Sequence, residues 1–136
     1  MADFRLRLRT DLRYDGPLFD LRARRAFRGM RQELEDEAAE WAHDHITSTF
    51  HRDFKHPTGY YEPHVRVHRS PDGSEVWDGG WAGPVYGPWL EGVGSRNRTT
   101  RFKGYHAFRL ASQALDRRIE NMGDRMFRLR YRRRLE

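Results

Sequence analysis

The chain has 136 residues, enough for one modest hydrophobic core and not for two. Only 37% of them are hydrophobic, 34% are charged and the net charge is +6, so little apolar surface is to spare and help from neighbouring subunits is expected. Cysteine is absent, which excludes disulfides, thiolate metal sites and cysteine nucleophiles, and no apolar run nears the roughly 20 residues that cross a bilayer.

Of the 26 basic residues, 24 are arginine; only Lys55 and Lys103 are lysine. Arginine grips carboxylate and phosphate through a planar fork, so the bias suits interfaces and nucleic acid alike. Codon supply in a GC-rich genome gives the same bias. The first residues, Met1 to Arg5, lack an apolar signal core, so the sequence predicts a protein made and kept in cytosol.

From Phe4 to Arg9 the chain alternates strictly, with Phe4, Leu6 and Leu8 on one face and Arg5, Arg7 and Arg9 on the other. That is the period of a half-buried strand, whose arginine face either touches phosphate or guards a solvated edge. Asp15-Gly16-Pro17 is a turn signal. From about Leu18 to Phe50 the period becomes helical, with Phe27, Met30, Leu34, Ala38, Trp41, His45 and Thr49 forming one stripe. An acidic cluster (Glu33, Glu35, Asp36, Glu37, Glu40) follows arginines at 22, 24, 25, 28 and 31. Gly29 weakens this helix or marks close packing.

Lys55-His56-Pro57-Thr58-Gly59 predicts a turn and Tyr60 to Arg69 a strand, with Val65 and Val67 opposite His64, Arg66 and His68. Ser70-Pro71-Asp72-Gly73 has hairpin-turn composition, with Glu75-Val76-Trp77 returning. Asp78-Gly79-Gly80 and Ala82-Gly83-Pro84 are breaks. Tyr105, Phe108, Ala111, Leu115, Ile119 and Met122 predict a second helix from about Lys103 to Asn121, ended by Gly123. The tail from Asp124 to Glu136 carries six arginines against two acids and reads as a helical continuation or a loose basic arm. The expectation is one α+β domain over 1–136: a long N-terminal helix and a C-terminal helix packed on a small antiparallel sheet, with a long loop after the third or fourth strand. Residues 124–136 are a candidate basic extension.

Chemistry is hard to find. His43 and His45 point about 200° apart on a helix, and His64 and His68 are too far apart along a strand to share an ion. No HExxH is present, and no metal or cofactor is expected. Ser95 lacks the GxSxG elbow, and Gly92-Val93-Gly94 completes neither a dinucleotide fingerprint nor a P-loop. His106 with Glu91 is a conceivable nuclease pair, but such pairs arise by chance among seven histidines and 20 acids. The sequence therefore predicts no enzyme.

Two surfaces remain. Arg5, Arg7, Arg9, Arg132, Arg133 and Arg134 are candidate DNA-facing residues, since the pI is about 10.1 and arginines of this kind give sequence-independent phosphate contact. Tyr86, Trp89, Leu90, Glu91, Arg96, Arg98 and Arg101 are candidate subunit-interface residues, because tyrosine, tryptophan and arginine are enriched at hot spots and the glycines and prolines would fix the loop that carries them. Trp89 and Leu90 are equally well read as a cap on the chain's own core. The polar run from Ser95 to Arg101 is expected to become ordered only in an assembly.

The order of features also carries a resemblance. A long helix, the Thr58-Gly59 turn, a hairpin, Tyr86-Gly87-Pro88-Trp89-Leu90-Glu91-Gly92-Val93-Gly94 with the run to Gly104, and a closing helix together resemble the tail-component family of long-tailed bacteriophages. The likeness covers roughly residues 18–122. It implies a non-enzymatic virion protein, made in the host cytoplasm and built into the neck or tail as a homo-oligomeric ring, expected to be a hexamer. Its partners would be other neck and tail proteins, such as connector, stopper, tail terminator or tail tube, with genomic DNA in the lumen and no membrane. The arginine-rich tail and the long basic loop exceed that pattern. The alternative is a small basic protein that binds DNA or RNA non-specifically.

Overall fold

The computed structural model describes residues 5–11, 21–54, 61–79, 84 and 86–135. The elements run β1 (Leu6–Leu8), α1 (Leu21–Asp53), β2 (Arg66–Ser70), β3 (Gly73–Trp77), α2 (Gly87–Glu91), α3 (Arg96–Thr99), α4 (Ala107–Asp116), α5 (Ile119–Met126), a π-helical turn (Phe127–Tyr131) and α6 (Arg132–Leu135). This is the expected α+β arrangement of long helices on a small antiparallel sheet. The turns expected at 15–17 and 55–59, and most of the glycine-rich break at 80–83, lie outside the described residues.

The sheet order is β1-β3-β2, both pairings antiparallel. Val76 sits between Leu6 and Val67 in register, and these three make the apolar face that α1 covers. Glu75 points the other way, opposite Arg7 and His68. Pro71 and Asp72 close the hairpin, and Gly73, at φ 140°, holds a position where a Cβ would lie 2.8 Å from the Leu8 carbonyl oxygen. The expected strand from Tyr60 begins later than its alternation suggests. Glu62–His64, which contains Pro63, forms a short 3₁₀ turn, and Val65 is buried at its exit.

α1 is about 50 Å long by its rise per residue. Its buried line runs Met30, Leu34, Ala38, Ala42, Ile46 and Phe50, with Ala39 beside it. That line is turned by one residue from the expected stripe in its second half, leaving Trp41 and His45 half-buried. The alanines explain the turn. Small side chains at 38, 39 and 42 let the sheet and α4 approach closely, whereas the bulk of Trp41 is accommodated only at the edge.

The second helical stretch differs most from expectation. Instead of one helix from Lys103, α4 starts at Ala107, because Gly104 and His106 both have left-handed backbone (φ 96° and 54°). The chain then bends at Arg117–Arg118 and α5 passes through Gly123. Gly123 does not end it; its Cα faces Leu34, and a Cβ there would lie 3.4 Å from Leu34 Cδ2. The tail is no loose arm. Met126 and Tyr131 are both buried against Ala26, Met30 and Leu34. Five residues apart in an α-helix they would diverge by about 140°, and the wider π turn between them brings both onto α1.

The Tyr131 hydroxyl donates to Glu33, and Arg130 pairs with the same carboxylate at 3.1 Å. The Tyr131 hydroxyl, helped by Arg130, holds the Glu33 carboxyl below its ordinary 4.5, while burial and Glu33 push the Tyr131 phenol up to about 12. Tyr131→Phe should cost about 1 kcal/mol in chemical denaturation, below the ~1.5–3 kcal/mol of a bond to a buried charged acceptor because Glu33 is half-exposed. A carboxyl lowered in the folded state adds stability above 4.5 that is lost as pH falls through its folded value. The deficit of the variant should therefore shrink on acidification. A deficit independent of pH would assign it to packing alone.

Candidate functional site

The stretch from Tyr86 to Lys103 folds back on itself at the C-terminal end of α1. Pro88 opens the one-turn helix α2, and Gly92, at φ 95°, closes it. The amides of Gly92, Val93 and Gly94 all point at the Pro88 carbonyl oxygen, at 3.0, 2.9 and 3.1 Å. Such a turn admits only glycine at 92, since a Cβ there would lie 2.2 Å from the Lys103 carbonyl oxygen.

Asn97 ties the loop shut. Its buried side chain donates to the carbonyls of Trp89 (3.0 Å) and Phe102 (3.1 Å) and accepts from the Gly94 amide (2.9 Å). Lys103 Nζ donates to the Asn97 carbonyl at 2.7 Å. Ser95 to Arg101 therefore has its own internal order, with α3 at its centre, contrary to the expectation that it orders only on assembly. An amide with three of its four hydrogen-bonding positions matched to backbone fixes the segment without a partner.

Glu91 does a different job from the one its position suggested. It is buried, and its two oxygens accept from the amides of Phe108 (3.0 Å) and Arg109 (2.9 Å) in the first turn of α4. A remote carboxylate thus caps a helix whose own N-cap, His106, offers no side-chain bond. Burial pushes this carboxyl above its ordinary 4.5, and the two amides, His106 and Arg109 pull it back only in part. Each Glu91 oxygen thus serves a helix amide, which gives the side chain a structural task. Ser95 is exposed and makes no capping bond. Among the described residues no three of His, Cys, Asp and Glu are grouped to hold a metal ion.

Aromatic rings anchor the loop to the body. Trp89 lies 4.4 Å from Phe102, Phe102 lies 5.0 Å from Tyr105, and Tyr105 lies 5.3 Å from Phe54 at the end of α1. On the other side Tyr86 packs 5.7 Å from Tyr61, whose hydroxyl donates to the buried Asp78 at 3.0 Å. Gly87 sits against that carboxylate so closely that a Cβ would lie 2.1 Å from Asp78 Oδ2.

The candidate interface residues therefore divide. Leu90 and Glu91 are turned inward and hold the chain's own fold, so they are not exposed contact residues. Tyr86 and Trp89 are half-buried, packed mainly on their own core. Arg96, Arg98 and Arg101 are exposed, together with Val93, which is 54% exposed. Sequence alone missed Asn97, Lys103 and Gly104 as the residues that shape this edge. The one hint was an asparagine embedded among glycine turns, a type that bonds readily to nearby backbone.

The candidate DNA-facing residues divide as well. Arg5 and Arg7 both pair with Glu75, at 3.4 and 3.1 Å, and Arg5 also lies over the Trp77 ring at 4.3 Å. One carboxylate offsets only one of the two charges, and Arg7, 69% exposed, still faces solvent. Arg9 is exposed and borders a groove shared with Phe27, Asp124 and Phe127. Arg132, Arg133 and Arg134 are exposed on α6, at the other end of α1 from the loop. The two candidate surfaces are thus about 30 Å apart along that helix.

No helix among the described residues is long and apolar enough to cross a membrane. No family model, curated protein or solved structure matches the chain.

Proposed function

We propose that the chain is a structural virion protein of a tailed bacteriophage, a tail-completion or head–tail connector protein that forms a ring at the neck through which DNA passes. The observation that carries this reading is the Tyr86–Lys103 loop. Its backbone is locked from within by Asn97 and its glycines, while Arg96, Arg98, Arg101 and Val93 stand outward. A loop ordered before it docks loses little entropy on docking, as a joint between subunits requires. A buried capping carboxylate and spent hydrogen bonds, in place of a poised nucleophile or base, favour assembly over catalysis. In a closed ring each subunit would offer this edge to a different surface of the next, and six copies is the number the family resemblance implies.

The test is virological. Mass spectrometry of purified particles should find the protein in the virion, and its deletion should leave heads without completed tails. Arg96→Ala with Arg98→Ala should reduce tail completion while the melting temperature of the purified protein stays within about 2 °C of wild type, as expected for exposed positions. Normal tailed particles after deletion would overturn the reading. A large drop in melting temperature in the double variant would assign both arginines to the fold instead.

A further inference from the structure

At the end of α1 away from the loop, the fold joins two arginine-rich segments that lie about a hundred residues apart in sequence. Residues 21–32 hold five arginines and no acid, and residues 125–135 hold six and no acid. Their apolar sides meet. Phe127 stacks on Phe27 at 6.5 Å between ring centres, and Met126 and Tyr131 fill a small core with Ala26, Met30 and Leu34. Burial of those faces leaves the guanidinium groups outside.

Among the described residues, three carboxylates near this end are already engaged. Glu33 binds Tyr131 and Arg130, Glu35 binds Thr10 and faces Arg31, and Asp124 pairs with Arg128. Arg22, Arg25, Arg28, Arg125 and Arg133 are exposed, and no carboxylate among the described residues pairs with them. Like charges gathered in this way repel one another, and an external polyanion relieves that repulsion.

We propose that this arginine end is a binding surface for the phosphate backbone of nucleic acid, gripping it without reading bases. Guanidinium forks match phosphate oxygens in bidentate geometry, and arginines spread over the outer faces of two packed helices suit an extended run of charges. Contacts of that kind position a duplex and carry no sequence information. The proposal does not rest on the neck assignment, and its test needs no virion.

Purified full-length protein is titrated into a fluorescein-labelled 30-base-pair duplex at 50 mM salt, followed by anisotropy. Wild type should bind in the micromolar range and weaken steeply with salt. The variant R25E/R28E/R133E should bind at least tenfold more weakly and show a flatter salt slope, whereas R96E/R98E at the opposite end should change affinity less than twofold. Circular dichroism checks both folds, and should the first variant misfold, R25Q/R28Q/R133Q should still lose at least threefold. Absence of wild-type binding, or equal loss in the two variants, overturns the proposal. So does displacement of the duplex by polyglutamate at equal charge concentration, which would make this a surface for an acidic polypeptide.

Discussion

Gly104→Ala should destabilise the protein by about 3 kcal/mol or more, since a left-handed backbone and a steric clash each contribute on the order of 1–3 kcal/mol. Gly104 has φ 96°, and a Cβ there would lie 2.3 Å from the Gly92 Cα and 2.4 Å from the Gly92 nitrogen. Both neighbours are backbone, so no side chain can swing aside. Relief requires the two sides of the loop to part, which breaks the hydrogen bond that the Tyr105 amide donates to the Leu90 carbonyl oxygen at 2.7 Å and pulls Glu91 off α4. Gly29→Ala is the contrast. A Cβ there would meet the Tyr131 hydroxyl at an ordinary 3.5 Å inside α1, and alanine should stabilise by about 0.5 kcal/mol. Urea unfolding of both variants decides the matter. If G104A unfolds at the wild-type midpoint, the close approach of Gly92 and Gly104 is not a constraint on this fold.

The two glycines also show what the sequence could and could not reveal. α1 was legible because its stripe recurs over about six turns, and the hairpin because alternation is broken by Pro71-Asp72-Gly73. Periodicity failed at Lys103–His106, where Tyr105 and Phe108 keep helical spacing although the backbone is left-handed at Gly104 and His106. Spacing records which side chains are buried and cannot register a dihedral angle. The loop was visible as an unusual stretch for its large rings beside glycines, yet its organisation depends on hydrogen bonds from one side chain to distant backbone, such as Asn97 to Trp89 and Phe102. Those contacts leave no period. Charge was misleading for a related reason. In the acidic cluster of α1, Asp36 and Glu40 are engaged by Arg69, and Glu33 and Glu35 by groups of the tail and of β1's exit. Only the fold sorts balanced arginines from unbalanced ones.

Glu91→Gln should cost about 1–3 kcal/mol, and Glu91→Ala more, because a buried amide left without its charged acceptor loses roughly that much. The wild-type carboxylate offers one oxygen to each of two amides of α4. Glutamine keeps a single acceptor and turns an NH₂ group toward the other N–H, so one donor is orphaned in a buried place; alanine orphans both and opens a cavity beside Phe108. The effect should be local before it is global. Hydrogen exchange at Phe108 and Arg109 should rise first, followed by the Asn97-bonded segment, while α1 and β3 remain protected until the whole chain unfolds. The loss also links shape to the proposed role, since Arg96 and Arg98 keep their positions only while the loop is held against α4. E91Q is therefore expected to weaken tail completion in proportion to its effect on the loop, and E91Q combined with R96A and R98A to add nothing further to the assembly defect. An additive defect would mean that Glu91 serves the fold and the arginines serve the joint along separate routes.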